Sequence, residues 1–141
     1  MNSPRSFRTT ELAKEFKRQG HEVIVITHKD RIAHASFEND FDIAIKDLGK
    51  LKWNGIQAKG GYLKNLFIRF LNRFLNKFFE YPNIELMGLV KKALISERGH
   101  DLLISIATPH PIHWGVASVW GKKQKIADTW VADCGDPYMG R

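Results

Sequence analysis

The sequence predicts an α/β fold with a mostly parallel sheet, because strand-like segments alternate with helical ones along the chain. The clearest strand is Val23–Ile26, a continuous run of β-branched residues that is typical of strands buried on both faces of a sheet. Leu102–Ala107 gives a second buried-strand signal. The 141 residues suit a single domain with a hydrophobic core of its own.

The first half of the chain is predicted to contain one helix and two strands. Residues 8–19 carry apolar side chains at helical spacing, and we expect this helix to end at Gly20. The strand Val23–Ile26 follows, and Phe41–Ile45 gives a weaker strand in which apolar residues alternate. Residues 46–61 are expected to form a loop because glycines interrupt them.

The second half is predicted to contain three helices and two strands. In chain order these are the helix Tyr62–Glu80, the helix Ile84–Arg98, the strand Leu102–Ala107, the helix Ile112–Gly121 and the strand Ile126–Ala132. In open α/β sheets, ligands bind beyond the carboxyl ends of the strands. Chemically active residues are therefore expected at Thr27–Lys29, Thr108–His110 and Asp133–Pro137.

The composition removes several classes of protein from consideration. One cysteine, Cys134, cannot form an internal disulfide or a cysteine-based zinc site. The charged N-terminal segment lacks a signal-peptide core and no apolar run is long enough for a bilayer, so we expect a cytoplasmic protein, peripheral on the inner face of the membrane if it docks there. No dinucleotide fingerprint, P-loop or hydrolase elbow occurs, and no cofactor is expected.

The net charge of +7 permits nucleic acid, an anionic membrane or a phosphorylated small molecule as partner. No nucleic-acid partner is expected, because no helix-turn-helix or RNP-like pattern accompanies the basic residues. Much of the positive charge lies between Lys46 and Lys77, and every charged residue from Lys59 to Lys77 is basic. This placement favours a membrane surface or a lipid phosphate.

The helix from Leu63 to Phe79 is the strongest local signal, because leucine and phenylalanine recur at i, i+3, i+4 and i+7. Basic residues and asparagines are expected on its other side. Phenylalanine combined with basic residues is typical of an interfacial helix, but a core helix with a basic outer face fits the same pattern. The predicted membrane-surface residues are Arg69, Arg73, Lys77, Phe67, Phe70 and Phe74.

Three motifs occur in a familiar order. They are R-x-x-x-L-A-K-E-F-x-x-x-G-H-E-V-x-V-I-T from Arg8 to Thr27, H-D-L-L-I-S-I-A-T-P-H-P at His100–Pro111 and W-V-A-D-C-G-D-P-Y at Trp130–Tyr138. Together they resemble the first helix with the second strand, the fourth strand with its loop, and a later strand and loop of family 4 retaining glycosyltransferases, which have the GT-B architecture of two Rossmann-like domains.

The resemblance implies that residues 1–141 are a partial N-terminal, acceptor-side Rossmann-like domain that lacks its first strand and its C-terminal donor-binding domain. The parent enzyme would transfer a sugar, with retention, from a nucleotide-sugar to a glycan or lipid-linked acceptor in polysaccharide biosynthesis. We expect the fragment to be inactive alone, and whether it is itself an enzyme stays open. The alternative is a non-catalytic Rossmann-like module that binds an anionic membrane surface or a partner through its basic amphipathic helix.

Two carboxylates are the catalytic candidates that the resemblance suggests. Asp133 and Asp136 follow the last predicted strand, in the loop that faces the cleft in the resembled family. A carboxylate there could accept a proton from a sugar hydroxyl or hydrogen-bond the acceptor. The alternative is that they cap backbone amides near Pro137.

Four basic or imidazole side chains are the candidates for binding an acceptor or a phosphate. Arg5 and Arg8 flank the start of the first helix, and a guanidinium there could meet phosphate oxygens or remain solvated. His110 and His113 stand at a strand end, where they could bind a phosphate or an acceptor hydroxyl, or serve as ordinary loop and capping residues. No metal is expected, because no third ligand lies nearby in the sequence.

Overall fold

The computed structural model describes residues 4–52, 61–106, 110–121 and 125–134, and at residues 4–6 and 31–33 it describes the backbone alone. These ranges form five α-helices and four short strands, so the fold class is α/β. The chain divides into two compact units, Met1–Lys50 and Leu51–Arg141.

The first unit is a strand–helix–strand arrangement preceded by a helix. Its elements are α1 (Pro4–Arg18), β1 (Ile24–Thr27), α2 (Arg31–Phe41) and β2 (Ala44–Asp47). β1 and β2 pair in parallel, with Ile24 opposite Ala44. Ile43 and Ile45 are buried, and the helix α2 packs against β2.

The second unit contains the other two strands and three helices. Its elements are α3 (Tyr62–Phe79), α4 (Glu85–Leu94), β3 (His100–Ile106), α5 (Pro111–Val119) and β4 (Ala127–Asp133). β3 and β4 pair in parallel, with His100 opposite Ala127 and Ile106 opposite Asp133. α5 connects the two strands and packs against both α4 and β3.

The prediction of a strand over Phe41–Ile45 is wrong at its start, because Phe41 ends the helix α2, which the sequence analysis missed. The carbonyl of Asp30 accepts the backbone N–H of His34 at 3.0 Å, which closes the first turn of the helix. Nearer the end of the helix, the ring centres of Phe37 and Phe41 lie 5.0 Å apart. Asp42, the residue after the helix, adopts a left-handed backbone conformation. Residues 31–41 contain few large apolar side chains, so their periodicity is weak.

The strands are less buried than their sequences predict, and they form two sheets of two strands in place of one sheet. All four residues of β1 are partly exposed, and Leu102 of β3 is 41% exposed. Ser105 hydrogen-bonds His113 on α5, so one face of the β3–β4 pair is turned towards α5. Because side chains alternate along a strand, Leu102 and Ile104 lie on the opposite face.

The contact between α4 and α5 depends on a glycine. Leu86, Val90 and Leu94 of α4 and Val116 and Val119 of α5 are buried. A Cβ atom at Gly115 would lie 2.7 Å from Val90 Cβ and 2.9 Å from the carbonyl oxygen of Met87. Only a residue without a side chain therefore permits this approach of the two helices. Gly88, on α4, has no atom within 4 Å of a Cβ placed there.

We expect Gly115→Ala to lower the free energy of unfolding by about 1–3 kcal/mol, because the added methyl forces the two helices apart. Gly88→Ala is the matched control, and it should raise the free energy of unfolding by up to about 1 kcal/mol, since alanine is the better helix former. Urea unfolding followed by circular dichroism measures both values. Equal effects of the two substitutions would contradict this packing.

Candidate functional site

The most unusual surface of the protein is the side of α3 that carries leucine and phenylalanine. Phe67, Phe70 and Phe78 are 65%, 69% and 60% exposed, although a core helix would bury such residues. We define the apolar face of α3 as Leu63, Leu66, Phe67, Phe70, Phe74 and Phe78, each of which is exposed. The described residues do not cover this face, so the interpretation of α3 as a core helix does not hold for it.

α3 instead packs through a different flank. Ile68 is its buried residue, and Leu71 and Leu75 are partly buried beside it. With about 100° between successive residues, Ile68 lies on the side of the helix opposite Phe70. The part-buried asparagines Asn65 and Asn72 lie on the same flank as Ile68. The buried side of α3 thus carries both polar and apolar residues, and its more apolar side is exposed to solvent.

Three cations form a row along the edge of the apolar face. Arg69, Arg73 and Lys77 follow one another at four-residue spacing, and all three are exposed. Among the described residues, no carboxylate forms an ion pair with any of them. α3 contains no acidic residue, and its fourth charged residue, Lys64, is also basic. The surface therefore combines aromatic side chains with positive charge that the described residues do not neutralise.

Glu80 joins the end of α3 to the start of α5. It adopts a left-handed conformation, with φ of 48°, and its backbone N–H donates to the carbonyl of Asn76 at 3.0 Å. Its carboxylate accepts the backbone N–H of His110 at 3.1 Å. The amide at the start of α5, where the sequence analysis suggested a phosphate, therefore already contacts an anionic oxygen in this structure.

His113 lies inside the second unit, in a hydrogen-bonded chain with Ser105 and Trp130. The indole Nε1 of Trp130 donates to the hydroxyl oxygen of Ser105 at 2.9 Å, and Ser105 Oγ lies 2.8 Å from His113 Nδ1. Since an indole only donates, the Ser105 oxygen accepts from it and its own proton is available for His113. This chain ties α5 to both strands of the sheet.

The remaining predicted site residues are distributed over both units. His110 is part-buried, and its ring centre lies 6.4 Å from that of His113. Asp133 ends β4, opposite Ile106 at the end of β3, and is also part-buried. Arg8 is exposed on α1 in the first unit. Asp136 and the side chain of Arg5 lie outside the described residues.

The carboxyl ends of β1 and β2 hold a charged cluster. The sequence analysis included Lys29 among the expected strand-end residues but missed its partners, Glu38 and Asp47. Lys29 Nζ contacts both carboxylate oxygens of Glu38, at 2.9 and 2.8 Å, and Glu38 also accepts the backbone N–H of Ile45 at 3.0 Å. Asp47 accepts the backbone N–H groups of Gly49 and Lys29, at 3.0 and 3.1 Å. Lys29 lies two residues after β1 and Asp47 ends β2, so their position at the carboxyl ends of paired parallel strands was the available signal.

These hydrogen bonds lower the pKa values of both carboxyls. The Lys29 ammonium, followed by the Ile45 amide, holds the pKa of Glu38 below its usual value of 4.5. The amides of Gly49 and Lys29 lower the pKa of Asp47 in the same way. Both carboxylates thus accept backbone N–H groups of residues in β2 or just after β1 and β2.

We expect Glu38→Gln to destabilise the first unit and to reduce its dependence on pH. Because the folded pKa is lower than the unfolded one, the Glu38 carboxylate stabilises the fold above about pH 4.5, and this contribution is lost as the pH falls through the folded value. Urea unfolding at pH 7 and at pH 3 measures the difference. Asp40→Asn, which removes an exposed charge from the same helix, is the control. An unchanged pH dependence in Glu38→Gln would refute the role of this carboxylate.

Two further features are absent from the described residues. Among them, no group of three histidine, cysteine, aspartate or glutamate side chains is placed to hold a metal ion. None of the helices in the described ranges is both long enough and apolar enough to cross a bilayer.

Comparison with known proteins assigns the chain to no family. No protein-family model, no curated protein and no solved structure matches it.

Proposed function

We propose that this protein docks on an anionic membrane surface through α3. The observation that carries the proposal is the exposure of Phe67, Phe70 and Phe78 on a helix whose charged residues are all basic. A helix of this kind lies in the plane of the interface, with its apolar face among the acyl chains and its cations at the level of the headgroups.

Both the apolar and the basic side chains of α3 would contribute favourable free energy to such docking. Fully burying one phenylalanine side chain stabilises by about 1.5–3 kcal/mol relative to leaving it in water. A lysine or arginine near an anionic leaflet adds about 1 kcal/mol. Because Arg69, Arg73 and Lys77 run beside the apolar face, both kinds of contact form in one orientation of the helix.

The distribution of charge on α3 supports a membrane surface as the partner. All four charged residues of α3 are basic, and they are distributed along the whole length of the helix. The charge is also of one sign from Lys59 to Lys77, which matches an extended anionic surface.

We expect the protein to sediment with vesicles of phosphatidylcholine and phosphatidylglycerol, and to bind pure phosphatidylcholine weakly. Arg69→Glu combined with Arg73→Glu should lower binding at least about thirtyfold, since two contributions of about 1 kcal/mol are lost and repulsion is added. Phe70→Ser combined with Phe74→Ser should also lower binding, by loss of apolar burial.

The matched control reverses two exposed charges elsewhere in the same unit. Lys91→Glu combined with Lys92→Glu changes the net charge by the same amount on α4. This variant should retain most of the binding. Equal losses from the α3 and α4 charge reversals would mean that binding follows net charge and not the surface of α3.

We propose secondly that the chain is part of the acceptor-side domain of a glycosyltransferase, and the pairing of the strands favours this function. In a doubly wound sheet of order 3-2-1-4-5, the second strand pairs with the third and the fourth pairs with the fifth, all in parallel. The resemblance matches β1 to the second strand and β3 to the fourth. The observed parallel pairs β1–β2 and β3–β4 are those that this order requires.

The composition of β1 and β3 supports the same proposal. Both strands are rich in Ile, Val and Leu, which is typical of parallel strands whose two faces are covered by helices. By the resemblance, Asp133 would hydrogen-bond the acceptor, His110 would bind the acceptor or a phosphate, and Arg8 would bind a phosphate.

Membrane docking and glycosyl transfer are compatible in one protein. Glu80 connects α3 to the carboxyl end of the β3–β4 pair, where the acceptor would bind. An α3 lying on a membrane would keep that edge close to a lipid-linked acceptor. The nucleotide-sugar would be held mainly by a second domain, as the resemblance implies.

Sequencing of the coding DNA beyond both ends of this segment tests the second function. We expect the upstream reading frame to encode a strand that ends in a glycine-rich turn, and the downstream frame to encode a second Rossmann-like domain. Stop codons in frame on both sides would refute the glycosyltransferase proposal and leave the membrane-docking proposal unaffected.

A further inference from the structure

The phenylalanines on the apolar face of α3 form a ridge along the helix. They follow one another at three- and four-residue spacing, and all of them are exposed, namely Phe67, Phe70, Phe74 and Phe78. The ring centres of Phe74 and Phe78 lie 4.7 Å apart, so these two rings are in contact. With a rise of about 1.5 Å per residue, the apolar face extends about 22 Å from Leu63 to Phe78. A membrane that receives this ridge must provide one elongated gap between its lipids.

The side chains of the ridge have no polar group that would hold them at the membrane surface. Tryptophan and tyrosine remain at the level of the headgroups, because their N–H or O–H groups are hydrogen-bonded there. α3 contains no tryptophan, and its one tyrosine, Tyr62, lies outside the apolar face. Phenylalanine and leucine gain free energy only when they leave water for the acyl chains. Binding through this face therefore requires insertion between lipids.

The packed flank of α3 limits how far the helix enters the membrane. Ile68 is buried, and Leu71 and Leu75 are part-buried on the same flank. A helix with its side chains is about 10 Å across, and only its exposed side reaches the acyl chains, so about half of this thickness enters the leaflet. The helix then pushes headgroups apart while the lower part of the leaflet stays filled. α3 is thus a wedge in one leaflet.

A wedge enters most easily where the headgroups are already spread. In a flat and tightly packed leaflet, headgroups must first be forced apart. In a convex leaflet, or in one that contains lipids with small headgroups, gaps are present before the helix arrives. For this reason the binding of interfacial helices depends on curvature and on lipid composition. The length of the ridge and the size of its rings increase the gap that α3 needs.

The cations beside the ridge contribute attraction that does not depend on gaps. Arg69, Arg73 and Lys77 are exposed along one edge of the apolar face. Their attraction to an anionic leaflet extends over a Debye length, about 10 Å at 0.1 M salt, and it needs no insertion. A buried phenylalanine contributes more free energy than one cation at the surface, and the four phenylalanines outnumber this row. Insertion therefore decides which anionic surfaces are bound tightly.

We infer that the apolar face of α3 recognises gaps between lipid headgroups, so that the protein prefers strongly curved or loosely packed anionic membranes. The inference rests on the docking of α3 and specifies the kind of surface on which docking occurs. The row of cations supplies affinity for any anionic leaflet. The phenylalanine ridge selects the leaflets that contain gaps.

Vesicles of one composition and two sizes test this selection. The full chain is floated with vesicles of phosphatidylcholine and phosphatidylglycerol, of about 30 nm or about 200 nm diameter, at equal accessible lipid. We expect binding to the small vesicles to be at least about tenfold tighter, which corresponds to the burial of about one further phenylalanine side chain. Equal affinity for the two sizes would overturn the inference.

Two double variants at neighbouring positions separate the two roles. Phe70→Ser combined with Phe74→Ser should bind both sizes weakly and with similar affinity, because the side chains that need gaps are reduced. Arg69→Gln combined with Arg73→Gln should lower binding to both sizes about thirtyfold and keep the preference for small vesicles. Circular dichroism confirms that each variant is folded. A preference that persists in the phenylalanine variant and disappears in the arginine variant would contradict the inference.

Dioleoylglycerol distinguishes the gaps from the curvature itself. This uncharged lipid has a small headgroup, so it opens gaps in a large vesicle without changing the diameter or the charge. Adding it to the large vesicles should raise binding of the parent at least about threefold and leave the phenylalanine variant unchanged. If binding of the parent does not rise while small vesicles are still preferred, the assignment to gaps is wrong.

The outcomes separate this inference from the docking proposal. If the parent binds both sizes equally while the phenylalanine variant binds both more weakly, the selection for gaps is wrong and docking stands. If the phenylalanine variant binds both sizes as the parent does, docking through α3 is wrong, and the selection for gaps falls with it.

Discussion

The burial of Ile68 is the constraint on which the surface of this protein depends, because it fixes which side of α3 faces solvent. A helix with one buried residue and two part-buried leucines is anchored along a narrow strip. Everything on the opposite side then stays exposed, including Phe67 and Phe70. The exposed apolar area costs free energy in water, and that cost is recovered only when another apolar phase covers it. The orientation of α3 thus links the packing of the second unit to its proposed location.

The sequence predicts the positions of the helices and strands better than it predicts which of their side chains are buried. The start of α3 at Tyr62 and the strands β3 and β4 agree with prediction to within two residues, because their patterns are strong. The sequence cannot show which side of α3 is buried, since periodicity identifies an apolar stripe and not its partner. Likewise α2 was not predicted, because residues 31–41 contain few large apolar side chains and so give a weak helical pattern.

For the candidate site residues as well, the sequence indicates positions along the chain but not the contacts that the side chains make. The prediction that ligands bind at strand ends draws attention to Asp133, which ends β4 opposite the last residue of β3, because parallel strands share a direction. It could not show that His113 is turned inward to Ser105, since residues three apart on a helix point in similar but not identical directions. Lys29 was among the expected strand-end residues, but its partners Glu38 and Asp47 were not predicted, because they come from a helix and from the end of a second strand.

Glu80 links two helices that are distant in the sequence. Its backbone N–H donates to the carbonyl of Asn76 at the end of α3, and its carboxylate accepts the N–H of His110, the residue before α5. The two residues are 30 positions apart in the chain, with α4 between them. Position 80 is therefore less tolerant of substitution than its place in a connecting segment suggests, because both its left-handed backbone and its carboxylate are used.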